Sequence, residues 1–351
     1  MQHLQVLQVE VPFSRPSTPR SHPHQIGFVG LGNMGYLMAR NLAKHNAAHT
    51  TGSLPLLVWN RSSDKAESLV TLVGADKARV AKDLDEVAQL CDIIVTSLSN
   101  DAAVQSVYEQ FSKSLTEHPP TRNKIFVETS TVYPSLSGEL DQQLSSHPLT
   151  HLVTCPVVGP PIAADKAQLL LLMSGNYRSK KEVAYLFIPA VGRKAIDLGG
   201  DIEKAPTFKL IANSMILGNL QVLAEAFTLS RKTGIDSDRV LELVKDIFPT
   251  PIHANYANKM ATGQFDGSKG FAIDNGIKDA MHIRRLTAEY DSPMPVVDVV
   301  YQHLLSARAI HKNDTQSEFE TLDWSSLVAG TRVAAGLPPF DTNENAVEKE
   351  D

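Results

Sequence analysis

The sequence predicts an α/β fold: a parallel sheet wound on both faces by helices over residues 25–200, joined by a long helix to an all-α region over residues 201–335. Three observations carry that expectation. Apolar runs of strand length alternate with helical periodicities from Ile26 to Leu198, the pattern of βαβ units. Gly30, Gly32 and Gly35 separate the first strand from the first helix at G-x-G-x-x-G spacing. From Pro206 onward, long helical periodicities replace strands.

The first strand is the apolar run Ile26, Phe28 and Val29, and Tyr36 to Asn46 continues as a helix. Between them Gly30-Leu31-Gly32-Asn33-Met34-Gly35 reads as a phosphate-binding turn. Gly30 permits the tight exit from the strand, Gly32 lets a pyrophosphate approach the backbone, and Gly35 lets the helix lie close to the sheet. The free N–H groups and dipole of the helix then face the phosphates. A turn without a ligand would leave three separately spaced glycines unexplained, so the segment reads as a Rossmann-type dinucleotide site.

Leu54 to Trp59 is the expected second strand, after a surface insertion at His49 to Ser53. Asn60-Arg61-Ser62 follows, where such a unit meets the adenosine ribose. An acidic residue there would bond a free 2′-hydroxyl. Arg61 instead offers a charged fork for a 2′-phosphate, so NADP(H) is favoured over NAD(H). The plainer role for Arg61 is a solvated residue before a helix that starts near Asp64. Strands at Ala78–Ala81, Asp92–Ser97 and Lys124–Glu128 continue the alternation, with helices at Asp83–Leu90 (Asp83 as N-cap) and Asp101–Phe111. Ligands bind at the carboxyl ends of parallel strands, which makes Leu98, Ser99 and Thr131 candidate cofactor contacts. Strands at His151–Val157, Gln168–Ser174 and Lys194–Leu198, with a helix at Lys180–Val191, complete the sheet.

Pro206 is expected to open a helix running to about Thr233, apolar around almost its whole circumference and therefore buried, a spine between domains and subunits. Further helices are expected at Asp236–Ile247, Asn255–Ala261, Ile273–Tyr290 and Pro295–Lys312. Lys209 and Asn213 lie four apart on the spine, so an ammonium and an amide share one helix face. Hydride transfer between a carbonyl and an alcohol needs a group that gives a proton in one direction and takes it in the other. Lys209 can do that beside a nicotinamide, although the everyday reading of such a pair is a solvated face.

A chain of 351 residues can hold two sizeable cores, and a formal charge of −6 argues against a nucleic-acid surface. Cys91 and Cys155 lack metal-ligand spacing and read as buried thiols. No apolar run is long enough to cross a bilayer, so no membrane partner is expected. Residues 1–24, with Pro12, Pro16, Pro19 and Pro23, read as a mobile arm. A mitochondrial targeting peptide is the alternative there, though the basic residues form no amphipathic helix, and the expected compartment is the cytoplasm. Residues 336–351 read as an acidic tail.

Five segments in this order, GFVGLGNMG, VETST, PVVG followed by DKAQL, KLIAN and FAIDNGIKDA, give the chain a resemblance to the β-hydroxyacid dehydrogenase family over about Ile26 to Gly330. The family includes 3-hydroxyisobutyrate dehydrogenase and glyoxylate/succinic semialdehyde reductases. The resemblance implies a dinucleotide domain joined by a long helix to a helical domain, in homodimers or homotetramers. It implies that Lys209 is the catalytic lysine and Asn213 the amide that orients substrate. It also implies that Thr131 contacts the cofactor, that Lys278 reaches it from the helical domain, and that Asn60-Arg61-Ser62 is similar to the NADPH-preferring members.

One departure bears on the substrate, a small hydroxy acid or semialdehyde in the family. Members carry P-V-S-G-G or P-V-S-G-S, whose serine and glycine donors hold a carboxylate; this chain has Pro156-Val157-Val158-Gly159-Pro160. Val158 and Gly159 are the candidate substrate contacts, yet the Val158 side chain donates no hydrogen bond and Pro160 has no N–H. Glu203 and Ala205 also replace glycines usual before the lysine. Two other readings stay open: an imine reductase-like enzyme, and a non-catalytic NADP(H)-binding scaffold.

Overall fold

The computed structural model describes residues 11–14, 24–314 and 317–340, and the chain divides into two compact units, Met1–Lys209 and Leu210–Asp351. The first unit runs β1 (Ile26–Val29), α1 (Asn33–His49), β2 (Leu56–Trp59), α2 (Ser63–Val73), β3 (Ala78–Val80) and α3 (Leu84–Leu90). It continues with β4 (Ile93–Thr96), α4 (Asp101–Glu117), β5 (Lys124–Glu128), α5 (Pro134–Ser145) and β6 (Thr150–Thr154). Then come β7 (Val157–Val158), α6 (Pro161–Asp165), β8 (Leu169–Gly175), α7 (Tyr177–Phe187) and β9 (Gly192–Asp197). The strand order is β3-β2-β1-β4-β5-β6-β8-β7, with β9 beside β8. Strands β1 to β6 pair in parallel, and β8 runs antiparallel to β6 and β7. The order reverses at β1, between β2 and β4. A crevice at that point, outside the carboxyl ends, is where open α/β sheets take ligands.

Strand side chains alternate between two cores. Ile26, Phe28, Leu56, Val58, Val95 and Val127 pack with Met38 and Leu42 of α1, Leu69 of α2 and Phe187 of α7. Leu57, Ile94, Phe126 and Leu152 pack on the other face with Val87 of α3, Phe111 of α4 and Leu140 of α5. Both faces of the sheet are covered, which is why its strands read as continuous apolar runs.

Several expectations need correction. Helices α5 and α6 were not expected, although each opens with a proline in its first turn, Pro134 and Pro161. The helix expected at Lys180–Val191 spans Tyr177–Phe187 instead: Asn176 accepts the N–H groups of Arg178 and Ser179 as its cap, and Pro189 cannot extend it. The strand expected at His151–Val157 is split into β6 and β7. Val11–Ser14 are docked rather than mobile. Phe13 is buried in the first core, the Tyr185 hydroxyl donates to its carbonyl at 2.7 Å, and Lys181 donates to Ser14 at 3.1 Å. Residues 1–10 and 15–23 of the expected arm and 341–351 of the tail lie outside the described residues.

The long helix α8 spans Lys204–Lys232 and so runs across the division at Lys209. It starts two residues before Pro206, a position where a missing N–H costs nothing, and the Ala205 N–H is taken by the Ser174 hydroxyl at 3.0 Å. Long enough and apolar enough to pass for a membrane span, α8 departs from the expectation that no segment would. Leu217, Leu220 and Phe227 bury one side of it in the core of the second unit. The rest is not buried as expected: Met215, Val222 and Leu229, at seven-residue spacing, are 66%, 59% and 64% exposed. After it come α9 (Ser237–Ile247), α10 (Pro251–Thr262), α11 (Ile273–Glu289), α12 (Pro295–Asn313), a 3-10 turn (Trp324–Leu327) and α13 (Val328–Ala334). Ile277 and Ile283 of α11, Val300 and Leu304 of α12, and Trp324 close that core.

Candidate active site

The glycine turn has the build of a phosphate cradle. Gly30 has φ +95°, and a Cβ there would stand 2.2 Å from the Ser97 carbonyl oxygen. A Cβ on Gly35 would stand 2.1 Å from the Gly30 carbonyl oxygen, so helix and turn touch backbone to backbone. A Cβ on Gly32 meets nothing within 4 Å. Gly32 is also the N-cap of α1 and supplies no side-chain cap. Open space in front of an uncapped helix N-terminus suits a pyrophosphate. The Leu31 side chain is in the core, and its N–H donates to Asn60 Oδ1 at 2.8 Å. Asn60 therefore pins the turn, and its Nδ2 donates to the Ser62 carbonyl at 3.0 Å.

Arg61 is exposed and has no side-chain partner among the described residues. It lines a cavity of about 910 Å³ with Trp59, Arg79, Lys82, Asp83 and Glu86. Sequence reasoning missed Arg79 and Glu86. They form an ion pair at 2.7 Å, and Glu86 also accepts the Lys82 N–H at 2.6 Å while Asp83 accepts the Glu86 N–H at 2.8 Å. Asp83 is thus the N-cap of α3, as expected from the sequence, and Glu86 reaches back past it to the N–H of the preceding residue. The Lys82 N–H and then Arg79 hold the Glu86 carboxyl below its ordinary range.

The loops after β4 and β5, which carry Leu98, Ser99 and Thr131, are tied together: the Leu98 N–H donates to the Ser130 hydroxyl at 2.7 Å. Beneath them Glu128 is fully buried, and burial pushes its carboxyl pKa up. At the candidate substrate segment, Val158 pairs with Leu170 in the sheet, Gly159 has φ +146°, and Pro160 is the N-cap of α6. That leaves no donor on the Val158 side chain or the Pro160 nitrogen.

Lys209 is 6% exposed and Asn213 1%, one turn apart on α8. Within the second unit, Asn213 Nδ2 donates to Asp279 Oδ2 at 2.7 Å, and Lys278 Nζ lies 3.1 Å from Asp279 Oδ1. Two residues expected to act on ligands are thus joined by a third, Asp279, which is completely buried.

Residues 25–199 match the family described as the NAD binding domain of 6-phosphogluconate dehydrogenase, and residues 204–320 match the NAD-binding domain of NADP-dependent 3-hydroxyisobutyrate dehydrogenase. The chain belongs to the β-hydroxyacid dehydrogenase family. It is an NAD(P)-binding oxidoreductase of the kind that acts on CH–OH groups. It is 26% identical over 306 residues to the NADH-dependent oxidoreductase ucdB of Aspergillus ustus, covering 87% of this chain and 98% of that one. It is 25% identical over 311 residues to glyoxylate/succinic semialdehyde reductase 1 of Arabidopsis thaliana, covering 88% and 99%. The fold is shared with a 3-hydroxyisobutyrate dehydrogenase (ygbJ) from Salmonella typhimurium, at TM-score 0.72 and 19% identity over 87% of this chain and 99% of that one.

Proposed function

We propose that this β-hydroxyacid dehydrogenase transfers a hydride between NADP(H) and a small carbonyl–alcohol pair, with Lys209 exchanging the proton. The observation that carries the reading is a lysine ammonium buried to 6% exposure on the helix that leaves the dinucleotide domain, one turn before a buried amide. Ammonium groups are rarely buried without a task, because desolvation is costly. The nicotinamide, when bound, supplies or accepts the hydride. Lys209 gives its proton to the carbonyl oxygen as the alcohol forms and takes it back in the reverse direction, stabilising the charge that develops. Asn213, held by Asp279, orients the substrate, and Lys278 steadies the cofactor. Residues around Gly32 hold the pyrophosphate and Arg61 the 2′-phosphate.

Val158 and Pro160 favour an uncharged aldehyde or ketone, or an acid gripped elsewhere, over a carboxylate held at this segment. Replacing Lys209 by Ala should cut kcat by about a hundred- to ten-thousandfold, the usual share of a proton-transfer group, with the dinucleotide Kd within about twofold. Assay of wild type and variant by NADPH oxidation over semialdehydes, 2-oxo acids, uncharged aldehydes and imines tests it. Near-normal turnover of the variant refutes the lysine's role, and wild-type NADPH binding without turnover on any substrate refutes the enzyme reading. We also propose a homo-oligomer in which a second copy covers Met215, Val222 and Leu229. A monomer at sedimentation equilibrium would refute that part.

A further inference from the structure

A carboxyl group lies under the cofactor edge of the sheet with no cation beside it. Glu128, the last residue of β5, is 1% exposed, and among the described residues it forms no ion pair. Its partners are neutral. The Thr96 hydroxyl, at the end of β4, donates to one carboxyl oxygen at 2.7 Å, and the Ser130 N–H donates to the other at 2.6 Å. The network extends from both. Thr96 Oγ1 stands 3.2 Å from the Tyr108 hydroxyl of α4, and Thr129 donates its side chain to the Thr96 carbonyl at 2.6 Å. Ser130, fixed by Glu128 through its backbone, receives the Leu98 N–H on its hydroxyl at 2.7 Å. One side chain therefore reaches the loop after β4 and the loop after β5, each within two hydrogen bonds.

We propose that Glu128 is a positioning residue for the dinucleotide: it clamps the Leu98–Ser99 loop to the Ser130–Thr131 loop, so that the cofactor meets one preformed edge instead of two independent ones. The proposal rests on the reading that these two loops contact the dinucleotide. A buried carboxyl is costly in this place unless its oxygens are satisfied, and the Thr96 hydroxyl and the Ser130 N–H satisfy one each, with Tyr108 reached through Thr96. Burial does raise the Glu128 pKa, in the direction that favours the acid form. Loops held in their binding geometry before the ligand arrives spare it the cost of ordering them.

The test is titration of the purified full chain with NADPH and NADH, followed by protein fluorescence, for wild type, Glu128→Ala, Glu128→Gln and Ser99→Glu. Amide hydrogen exchange at Leu98 and Ser130 is measured in parallel. Glu128→Ala is expected to weaken both dinucleotides about tenfold, the effect of losing a buried hydrogen bond that holds a binding loop. Exchange at Leu98 and Ser130 should quicken together, and kcat at saturating cofactor should hold. Glu128→Gln, neutral and of the same shape, should return Kd to within about twofold of wild type. Ser99→Glu puts a negative charge on an exposed loop residue, and it should weaken binding if the loop meets the dinucleotide. If Ser99→Glu weakens binding while folded Glu128→Ala binds normally, the clamp is wrong and the loop reading survives. If neither moves Kd, both fail. A glutamine variant that binds as poorly as alanine also overturns the clamp. Should Glu128→Ala not fold, Thr96→Val and Ser130→Ala each remove one link, and normal binding by both overturns it.

Discussion

The Asn213 side-chain amide donates to Asp279 at 2.7 Å, and the opposite oxygen of that carboxylate faces Lys278 at 3.1 Å. Asp279 is wholly buried, and among the described residues its Oδ1 has no hydrogen bond, so the Lys278 ammonium beside it is what offsets its charge. Helix α8 is fastened to α11 at this point. The residue proposed to orient substrate thereby shares one anchor with the residue proposed to reach the cofactor.

Replacing Asp279 by Ala should therefore cost more than the contacts it removes. Breaking a buried charged pair destabilises by about 3–5 kcal/mol, because the remaining group is left without a partner. Asp279→Asn keeps the shape and loses the charge, and kcat/KM should fall about tenfold as Asn213 and Lys278 lose their common fix. Urea unfolding and steady-state rates on both variants check this. An asparagine variant with wild-type kinetics would show that the charge has no part in orienting either side chain.

Two glycines of the turn should fail in opposite ways when changed to alanine. At Gly35 the new Cβ would meet the Gly30 carbonyl at 2.1 Å, so the backbone must move and stability should drop by about 1–3 kcal/mol. At Gly32 the Cβ enters open space, and the melting temperature should hold while dinucleotide affinity falls about tenfold as the methyl occupies ground meant for phosphate. Paired melting curves and NADPH titrations separate the two outcomes, and equal behaviour of both variants would contradict the assignment.

Among the described residues Arg61 has no side-chain partner to lose, so Arg61→Glu should leave stability within about 0.5 kcal/mol of wild type. Its effect belongs to the cofactor. The ratio of kcat/KM for NADPH to that for NADH should fall about ten- to hundredfold, as one charge-assisted contact becomes a repulsion. An unchanged ratio would mean that the 2′-position is read elsewhere, with Arg79 in the same cavity the next residue to replace.

Glu128 also predicts a pH dependence. Its ordinary pKa is 4.5 and burial raises it in the folded chain, with hydrogen bonds from Ser130, Thr96 and Tyr108 acting against the rise. The folded state thus holds the proton more tightly than the unfolded state. The resulting stabilisation is complete below about pH 4.5 and is lost as pH rises through the raised value. Glu128→Gln cannot ionise, so its stability relative to wild type should grow as pH climbs from about 4.5 towards 8. Urea midpoints of the two proteins across that range test the sign, and a constant difference would rule it out.

The alternation of strands and helices, the glycine turn and the switch to an all-α region were determined by the sequence alone. Each rests on local rules: apolar runs for strands covered on both faces, glycine where backbones touch, and helical periodicity in α8 to α12. Helix α6 was missed because it is five residues long, with only Ala164 buried, whereas α5 carries Leu136, Leu140 and Leu144 at helical spacing behind Pro134, a signal that was legible. What tertiary structure decided is which side chains meet. Asn60, expected at the ribose, also holds the Leu31 N–H, and Leu31, expected at the cofactor, has its side chain in the core. Arg79 acquires its place only because β3 brings it beside α3, and Glu128 and Asp279 gain their roles from strands and helices distant in sequence. Periodicity reports which face of an element is buried. It does not report which polar group from another element waits there, since burial leaves such a group only the partners that folding brings within hydrogen-bond reach.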